Sequence, residues 1–171
     1  MPYGGNDWLD ITKEDIIEPL LPICDPHHHY WDLRVERTPY AKYLLHELLD
    51  DISGHNITST VFIEARAMYN ADIEKDLKPV GEVEFVEGIS AASASGIYGK
   101  SRASASIIGH ANLNLGNRVE PVLNSLLEAS PRRFKGIRHI VAWDTDKEVD
   151  TVPVYNQEEQ MTTKSFIEGA K

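Results

Sequence analysis

Four segments rich in β-branched and apolar residues alternate along this chain with three segments whose apolar residues recur at helical spacing. Such alternation is typical of parallel strands, because parallel neighbours need a crossover connection, usually a helix. We therefore predict an α/β fold. The second strand segment is apolar almost throughout, which predicts burial on both faces of the sheet. The predicted strands are LPICD, ITSTVFIEA, SASIIGHANL and RFKGIRHIVAW, and the predicted helices lie in YLLHELLDDISGHN, GEVEFVEGISAASASG and NRVEPVLNSLLEAS.

The two ends of the chain depart from this pattern. Residues 1–21 are a polar lead-in, in which Thr12 is placed to cap a short helix that Pro19 would end. Residues 146–171 are predicted to form an acidic loop followed, at SFIEGAK, by the start of a helix. The domain is therefore expected within residues 22–145.

Composition and charge limit the possible partners. The net charge of −10 argues against nucleic acid, whose binding calls for a basic face. No apolar run approaches the roughly 18 residues that cross a bilayer, and the N-terminus lacks the features of a signal peptide. The single cysteine, Cys24, cannot form an internal disulfide and is expected to be buried and inert. We expect a cytoplasmic protein that acts on a small molecule.

Three consecutive histidines follow the first predicted strand, in the stretch DPHHHYWD. Side chains alternate along a strand, so Asp25, His27 and His29 are predicted to share one face and His28 to lie on the other. Two imidazoles in this arrangement can bind one divalent ion, zinc or manganese. The spacing fits equally well a structural role in which the rings form hydrogen bonds within the fold. His28 is predicted to pack or to form hydrogen bonds rather than to bind metal.

The stretch DPHHHYWD is similar to the D-x-H-x-H signature near the first strand of the amidohydrolase superfamily. VFIEA, GEVEFVEGI, IIGHANL and RFKGIRH follow in the expected order. Residues 20–145 thus resemble the amidohydrolase-related metal-dependent hydrolases, which include lactonases of sugar acids and dicarboxylates. The resemblance implies a (β/α)₈ barrel of the TIM type with His27 and His29 as metal ligands at its mouth. It also implies metal-assisted attack of water on a lactone or similar cyclic ester, with decarboxylation as the alternative chemistry.

The resemblance covers only part of such a barrel. A complete one takes about 250 residues, and this chain has 171. We therefore expect an incomplete barrel of about the first four βα units, with SFIEGAK beginning the helix after strand four. The family completes its site from later strands, so the catalytic aspartate is expected beyond Lys171. The alternative is an inactive fragment that binds metal weakly or forms a homo-oligomer through its open sheet edges.

Three further residues are candidates for contact with substrate. The resemblance implies that Arg138, in KGIRH, binds substrate oxygens, as a guanidinium can do in bidentate fashion; alternatively it pairs with an acidic side chain. Glu64, which ends the second strand segment, is predicted either to support the site or to be neutralised by Arg66. His110, near the end of the third, either contacts substrate or forms hydrogen bonds within the fold.

Overall fold

The computed structural model describes residues 11–12, 14–34, 40–146, 149 and 158–171. Within them, one sheet is formed by β1 (Ile23–His28), β2 (Ile57–Ile63), β3 (Arg102–Gly109) and β4 (Phe134–Ile137), in the order β1-β2-β3-β4. Every neighbouring pair of strands is parallel. The predicted α/β fold is confirmed, and a sequential parallel sheet is compatible with part of a barrel.

Helices connect consecutive strands, as the sequence predicts. The described residues form α1 (Leu45–Asp51), α2 (Val80–Ala94), α3 (Glu120–Ala129) and α4 (Lys164–Gly169), with 3₁₀ segments at Leu113–Val119 and Gln160–Thr162. Pro121 lies in the first turn of α3, where its missing N–H removes no helical hydrogen bond. The described helices include none that is long and apolar enough to cross a bilayer.

The core lies between the helices and one face of the sheet. Phe62 of β2, Ile107 of β3 and Val83 of α2 are fully buried in one cluster. Along β2, Thr60 and Phe62 are buried, whereas Val61 between them keeps partial exposure. The prediction that β2 is buried on both faces is therefore wrong, because in the described part of the chain only its helix-facing side is completely covered.

The lead-in does not form the predicted helix. Residues 11–12 and 14–22 contain no helical turn beyond a hydrogen bond from Leu21 N–H to the carbonyl of Glu18 (3.1 Å). Its apolar side chains find little cover, since Ile17 is 94% and Leu20 85% exposed. Without an apolar surface to pack against, so short a segment gains too little to offset the cost of helix nucleation. Residues 1–10 and most of the predicted acidic loop lie outside the described residues.

The carboxyl ends of all four strands lie at the same edge of the sheet, because the strands are parallel. His29 follows β1 directly, Glu64 follows β2, His110 follows β3 and Arg138 follows β4. The fold thus places every candidate residue from the sequence at one edge.

Candidate functional site

His27 and His29 converge at the end of β1. Their Nε2 atoms lie 3.2 Å apart, and the rings meet edge to face. Two nitrogens bound to one tetrahedral zinc ion lie about 3.4 Å apart, because each Zn–N bond is about 2.0–2.1 Å long. The separation therefore suits two ligands of one ion. It also suits the structural alternative, a hydrogen bond from the Nε2–H of His27 to Nε2 of His29.

The orientation of His29 is set by β2. Nδ1 of His29 lies 2.8 Å from the carbonyl oxygen of Ile63. A carbonyl only accepts, so Nδ1 carries the proton and Nε2 presents its lone pair to His27. Burial lowers the pKa of His29, against the opposing effects of the Ile63 carbonyl and Glu64 and with a further lowering by the charge of Arg138. His29 is thus neutral at pH 7, the form that binds metal.

Asp25 does not join the pair, contrary to the prediction that it shares their face. Asp25 is in register with Thr60 of β2 and His28 with Phe62, so β1 contains one extra residue between them. This bulge interrupts the alternation on which the prediction rested. Oδ1 of Asp25 instead accepts a hydrogen bond from the backbone N–H of His27 (3.0 Å). No third histidine, cysteine or carboxylate completes a metal group in the part of the chain that is described.

His28 has the structural role that the sequence predicts. His28 is 7% exposed, and its ring packs edge to face against Tyr30 and Phe62. Its Nε2 lies 2.8 Å from Oγ1 of Thr60. Burial lowers the pKa of His28 to about 4, so the ring is a neutral part of the core. Cys24, also predicted to be buried, is exposed instead, although His28 of the same strand is buried.

Glu64 and Arg138 form an ion pair across the strand ends. Nε of Arg138 donates to Oε1 of Glu64 (2.9 Å), and a terminal nitrogen donates to the main-chain carbonyl of Glu64. The Glu64 side chain is 1% exposed and that of Arg138 is 32% exposed. Glu64 is therefore the acidic partner that was expected for Arg138. The prediction that Glu64 pairs with Arg66 is wrong. Because part of the Arg138 guanidinium stays exposed, its contact with substrate stays a prediction.

His110 and His139 form a second pair of histidines, at the ends of β3 and β4. Their ring centroids are 5.8 Å apart. Nδ1–H of His110 donates to the carbonyl of Arg138 (2.9 Å), and Nδ1 of His139 accepts from the backbone N–H of Leu113 (3.0 Å). Burial lowers the pKa of His110, and it lowers that of His139 to about 4. The hydrogen bond predicted for His110 is present; its contact with substrate stays a prediction.

The loop after β2 is held by Glu82, a residue that the sequence did not single out. Oε1 of Glu82, in the first turn of α2, accepts from the backbone N–H groups of Ala65 (2.9 Å) and Ala67 (2.8 Å). Arg34 donates to the carbonyl of Ala65 (2.8 Å). Burial raises the pKa of Glu82 to about 7, although both N–H groups oppose this. The acidic side chain in a first helical turn was a visible signal, but its partners were not.

Arg66 lies between the two N–H groups that Glu82 binds. Its φ is +59°, a left-handed conformation that costs a residue other than glycine roughly 1 kcal/mol or more. The side chain is only partly exposed. Arg66 thus has a strained backbone, and it lies at the same edge of the sheet as the candidate site residues His29, Glu64 and Arg138.

Comparisons of the chain with models of known protein families, with curated proteins and with solved structures find no match. The resemblance to amidohydrolase-related enzymes accordingly stays a prediction. Any function assigned to this chain rests on the arrangement of the residues described above.

Proposed function

We propose that this chain forms part of the active site of a cytoplasmic amidohydrolase-related hydrolase, built on the first four βα units of a TIM-type barrel. Its substrate would be a lactone or similar cyclic ester of a small carboxylic or sugar acid. The observation that carries the proposal is the convergence of His27 and His29, with Nε2 atoms 3.2 Å apart. Parallel α/β sheets characteristically place their sites at the carboxyl edge, where this pair lies.

His27 and His29 are the residues that would hold a divalent ion. Two imidazole nitrogens are suitable donors for zinc, and the tie between Nδ1 of His29 and the Ile63 carbonyl matches the support that metal-binding histidines commonly have. When bound, such an ion supplies Lewis-acid polarisation of the ester carbonyl and a lowered pKa of coordinated water. No residue within the described ranges is assigned as the catalytic carboxylate.

Arg138 would orient the substrate. Glu64 accepts hydrogen bonds from Nε and one terminal nitrogen of Arg138, which fixes the plane of the guanidinium and leaves other N–H groups for a substrate oxygen. His110 holds the main chain of Arg138 through its carbonyl. Glu64 and His110 would thus position Arg138 from its side chain and its backbone respectively.

Zinc titration tests the ligands. Isothermal titration of the native chain should show one zinc site, and the His27→Ala, His29→Ala double variant should bind at least about 100-fold more weakly because both nitrogen donors are gone. His55→Ala is the matched control, since His55 is exposed just before β2, at the opposite end of the sheet. Equal affinity of the native and double-variant chains would remove the assignment.

Turnover tests the reaction itself. Zinc-loaded native chain should open members of a panel of sugar-acid and carboxylated lactones faster than the chain treated with chelator. The double variant should lose this difference, and His55→Ala should keep it. Zinc binding without turnover on any lactone would favour the second candidate function.

That second candidate is a metal-binding module that self-associates. It is favoured by the absence of a third ligand from the described residues and by the position of β1 and β4 at the two edges of the sheet. Exposed strand edges are prone to pair with another chain. Light scattering discriminates the two: the module predicts a mass that rises with protein concentration and no turnover, whereas turnover by a species of constant mass excludes it.

A further inference from the structure

We propose that Arg66 binds a carboxylate of the substrate and that Glu82 is the residue that positions it. The inference rests on the proposed function for the location of the reacting site. It goes further by narrowing the substrate class to lactones that carry a free carboxylate. It also assigns recognition of that group to a residue that the sequence suggested only as a neutralising partner for Glu64.

The backbone at position 66 does not require an arginine. The N–H groups of Ala65 and Ala67 converge on one oxygen of Glu82, and this convergence is achieved by the left-handed conformation of Arg66, φ +59°. Glycine adopts that conformation without strain. The loop would therefore form more easily with glycine at position 66, so the guanidinium must be explained by something other than the fold of the loop.

Among the described residues, none forms a hydrogen bond or ion pair that would explain the guanidinium of Arg66. Arg66 forms no hydrogen bond or ion pair with any residue in the ranges that the structure describes. Its side chain is nevertheless only partly exposed, so it is not simply extended into water. A partly covered guanidinium offers planar, bidentate recognition to an incoming carboxylate.

The charge of Arg66 acts on the ends of β3 and β4. Arg66 lies two residues after Glu64, at the edge where β3 and β4 also end. Its charge contributes to lowering the pKa of both His110 and His139, after the larger effect of burial. Glu64 and Arg138 neutralise each other, and the two histidines are uncharged at pH 7. Arg66 therefore adds positive charge at this edge of a chain whose net charge is −10.

Glu82 determines where this charge lies. It is fully buried and accepts hydrogen bonds from the backbone on both sides of Arg66. Arg34 also donates a hydrogen bond to the carbonyl of Ala65. Ordered on both flanks, Arg66 loses less conformational freedom when it binds an anion than an arginine on a mobile loop would.

A binding experiment with succinate on chelator-treated, metal-free chain tests the inference. The native chain should bind succinate, with shifts in the NMR signals of the His110 and His139 rings. Arg66→Gly should weaken binding at least about tenfold, and Arg66→Lys should weaken it less, because the charge is kept while the bidentate geometry is lost. Arg66→Gly should not lower the melting temperature, since glycine relieves the left-handed backbone.

Two variants serve as matched controls. Met68→Gly makes the same backbone change at the neighbouring left-handed position, φ +53°, and keeps the guanidinium. Arg132→Ala removes an equal charge from the exposed turn before β4, at the other end of the sheet. Both should bind succinate within about twofold of the native chain. An affinity that Arg66→Gly leaves unchanged, or that Arg132→Ala weakens as strongly, overturns the inference.

Kinetics separate this inference from the proposed function. With carboxylated lactones Arg66→Gly should raise KM about tenfold, and with neutral lactones it should change nothing. The succinate experiment needs neither metal nor turnover, so loss of the zinc or lactonase result would leave it interpretable. Intact zinc binding and turnover, with KM for carboxylated lactones unchanged in Arg66→Gly, would remove the role of Arg66 alone.

Discussion

Two pairs of histidines lie at the carboxyl ends of the strands, and only in one pair do the nitrogen atoms converge at an exposed position. The Nε2 atoms of His27 and His29 are 3.2 Å apart, and His27 is exposed. The rings of His110 and His139 are 5.8 Å apart, and both Nδ1 atoms are bonded to the main chain. The difference teaches that two imidazoles can lie close together without being suited to bind a metal ion. Their nitrogen lone pairs must also converge where an ion can reach them.

The two pairs differ because of how the chain brings them together. His27 and His29 lie two residues apart, so the repeat of an extended segment aligns them. His110 and His139 come from different strands, and each is oriented by its own hydrogen bond to another segment. The first pair is therefore available for the proposed ion, whereas the second pair joins segments of the fold.

Lowering the pH should have the largest effect on the free energy of unfolding. It should act through the buried histidines rather than through His27 and His29. The pKa of His28 is about 4 in the folded chain, against about 6.5 in the unfolded chain. The unfolded state thus binds the proton first, so stability present above pH 6.5 is lost as pH falls towards 4. For His28 the loss in the free energy of unfolding should reach about 3 kcal/mol.

Urea unfolding between pH 7.5 and 4.5 measures this loss. His28→Gln, which keeps a polar partner for Thr60 and does not titrate, should show a flatter profile than the native chain. Glu82 changes stability in the opposite direction, because its pKa is raised to about 7 and its contribution is lost as pH rises. Because Glu82 is present in both the native chain and His28→Gln, its effect cancels when the two stability profiles are subtracted. Parallel profiles would show that His28 is not the responsible group.

Removing one ring from each histidine pair should give the next largest change in the free energy of unfolding. His139→Ala leaves the Leu113 N–H without its acceptor and should lower the free energy of unfolding by about 2 kcal/mol. His27→Ala removes an exposed ring and should cost less than about 0.5 kcal/mol. His139→Asn, whose amide oxygen can replace Nδ1, should recover part of the loss. Equal destabilisation by the two alanine variants, measured by urea unfolding, would contradict the distinction between the pairs.

Substitutions of two glycines of α2 should have the smallest effect on stability. They test how closely the loop after β2, which carries Arg66, packs on α2. A Cβ at Gly81 would lie 2.8 Å from both the carbonyl oxygen of Met68 and the nitrogen of Asn70, whereas a Cβ at Gly88 would meet nothing within 4 Å. Gly81→Ala should therefore destabilise by about 1–2 kcal/mol through displacement of the loop, and Gly88→Ala should stabilise by about 0.5–1 kcal/mol.

The same two variants also test whether the loop after β2 takes part in the proposed binding of a carboxylate. Gly81→Ala should also weaken succinate binding, since the displaced loop carries Arg66, while Gly88→Ala should leave it unchanged. Thermal melting and titration measure both properties. Stabilisation by both substitutions would show that the loop does not pack closely on α2.

Much of the fold could be predicted because its signals are local. The alternation of apolar patterns identified the four strands of the described residues and the three helices between them, and the spacing of His27 and His29 identified their common face. The predictions that failed depended on distant segments. Asp25 does not share that face because β1 has a bulge against β2, and Cys24 is exposed because the described elements leave its side chain uncovered.

By itself, the sequence determined the order of the elements and the residues available at the strand ends, because hydrophobic periodicity and strand alternation act over a few residues. Only the tertiary structure decided which of these groups meet. Glu64 and Arg138 are joined across 74 positions of the chain, and Glu82 reaches back over 15 positions or more to the backbone around Arg66. Such contacts arise from the packing of whole elements, which no local pattern specifies.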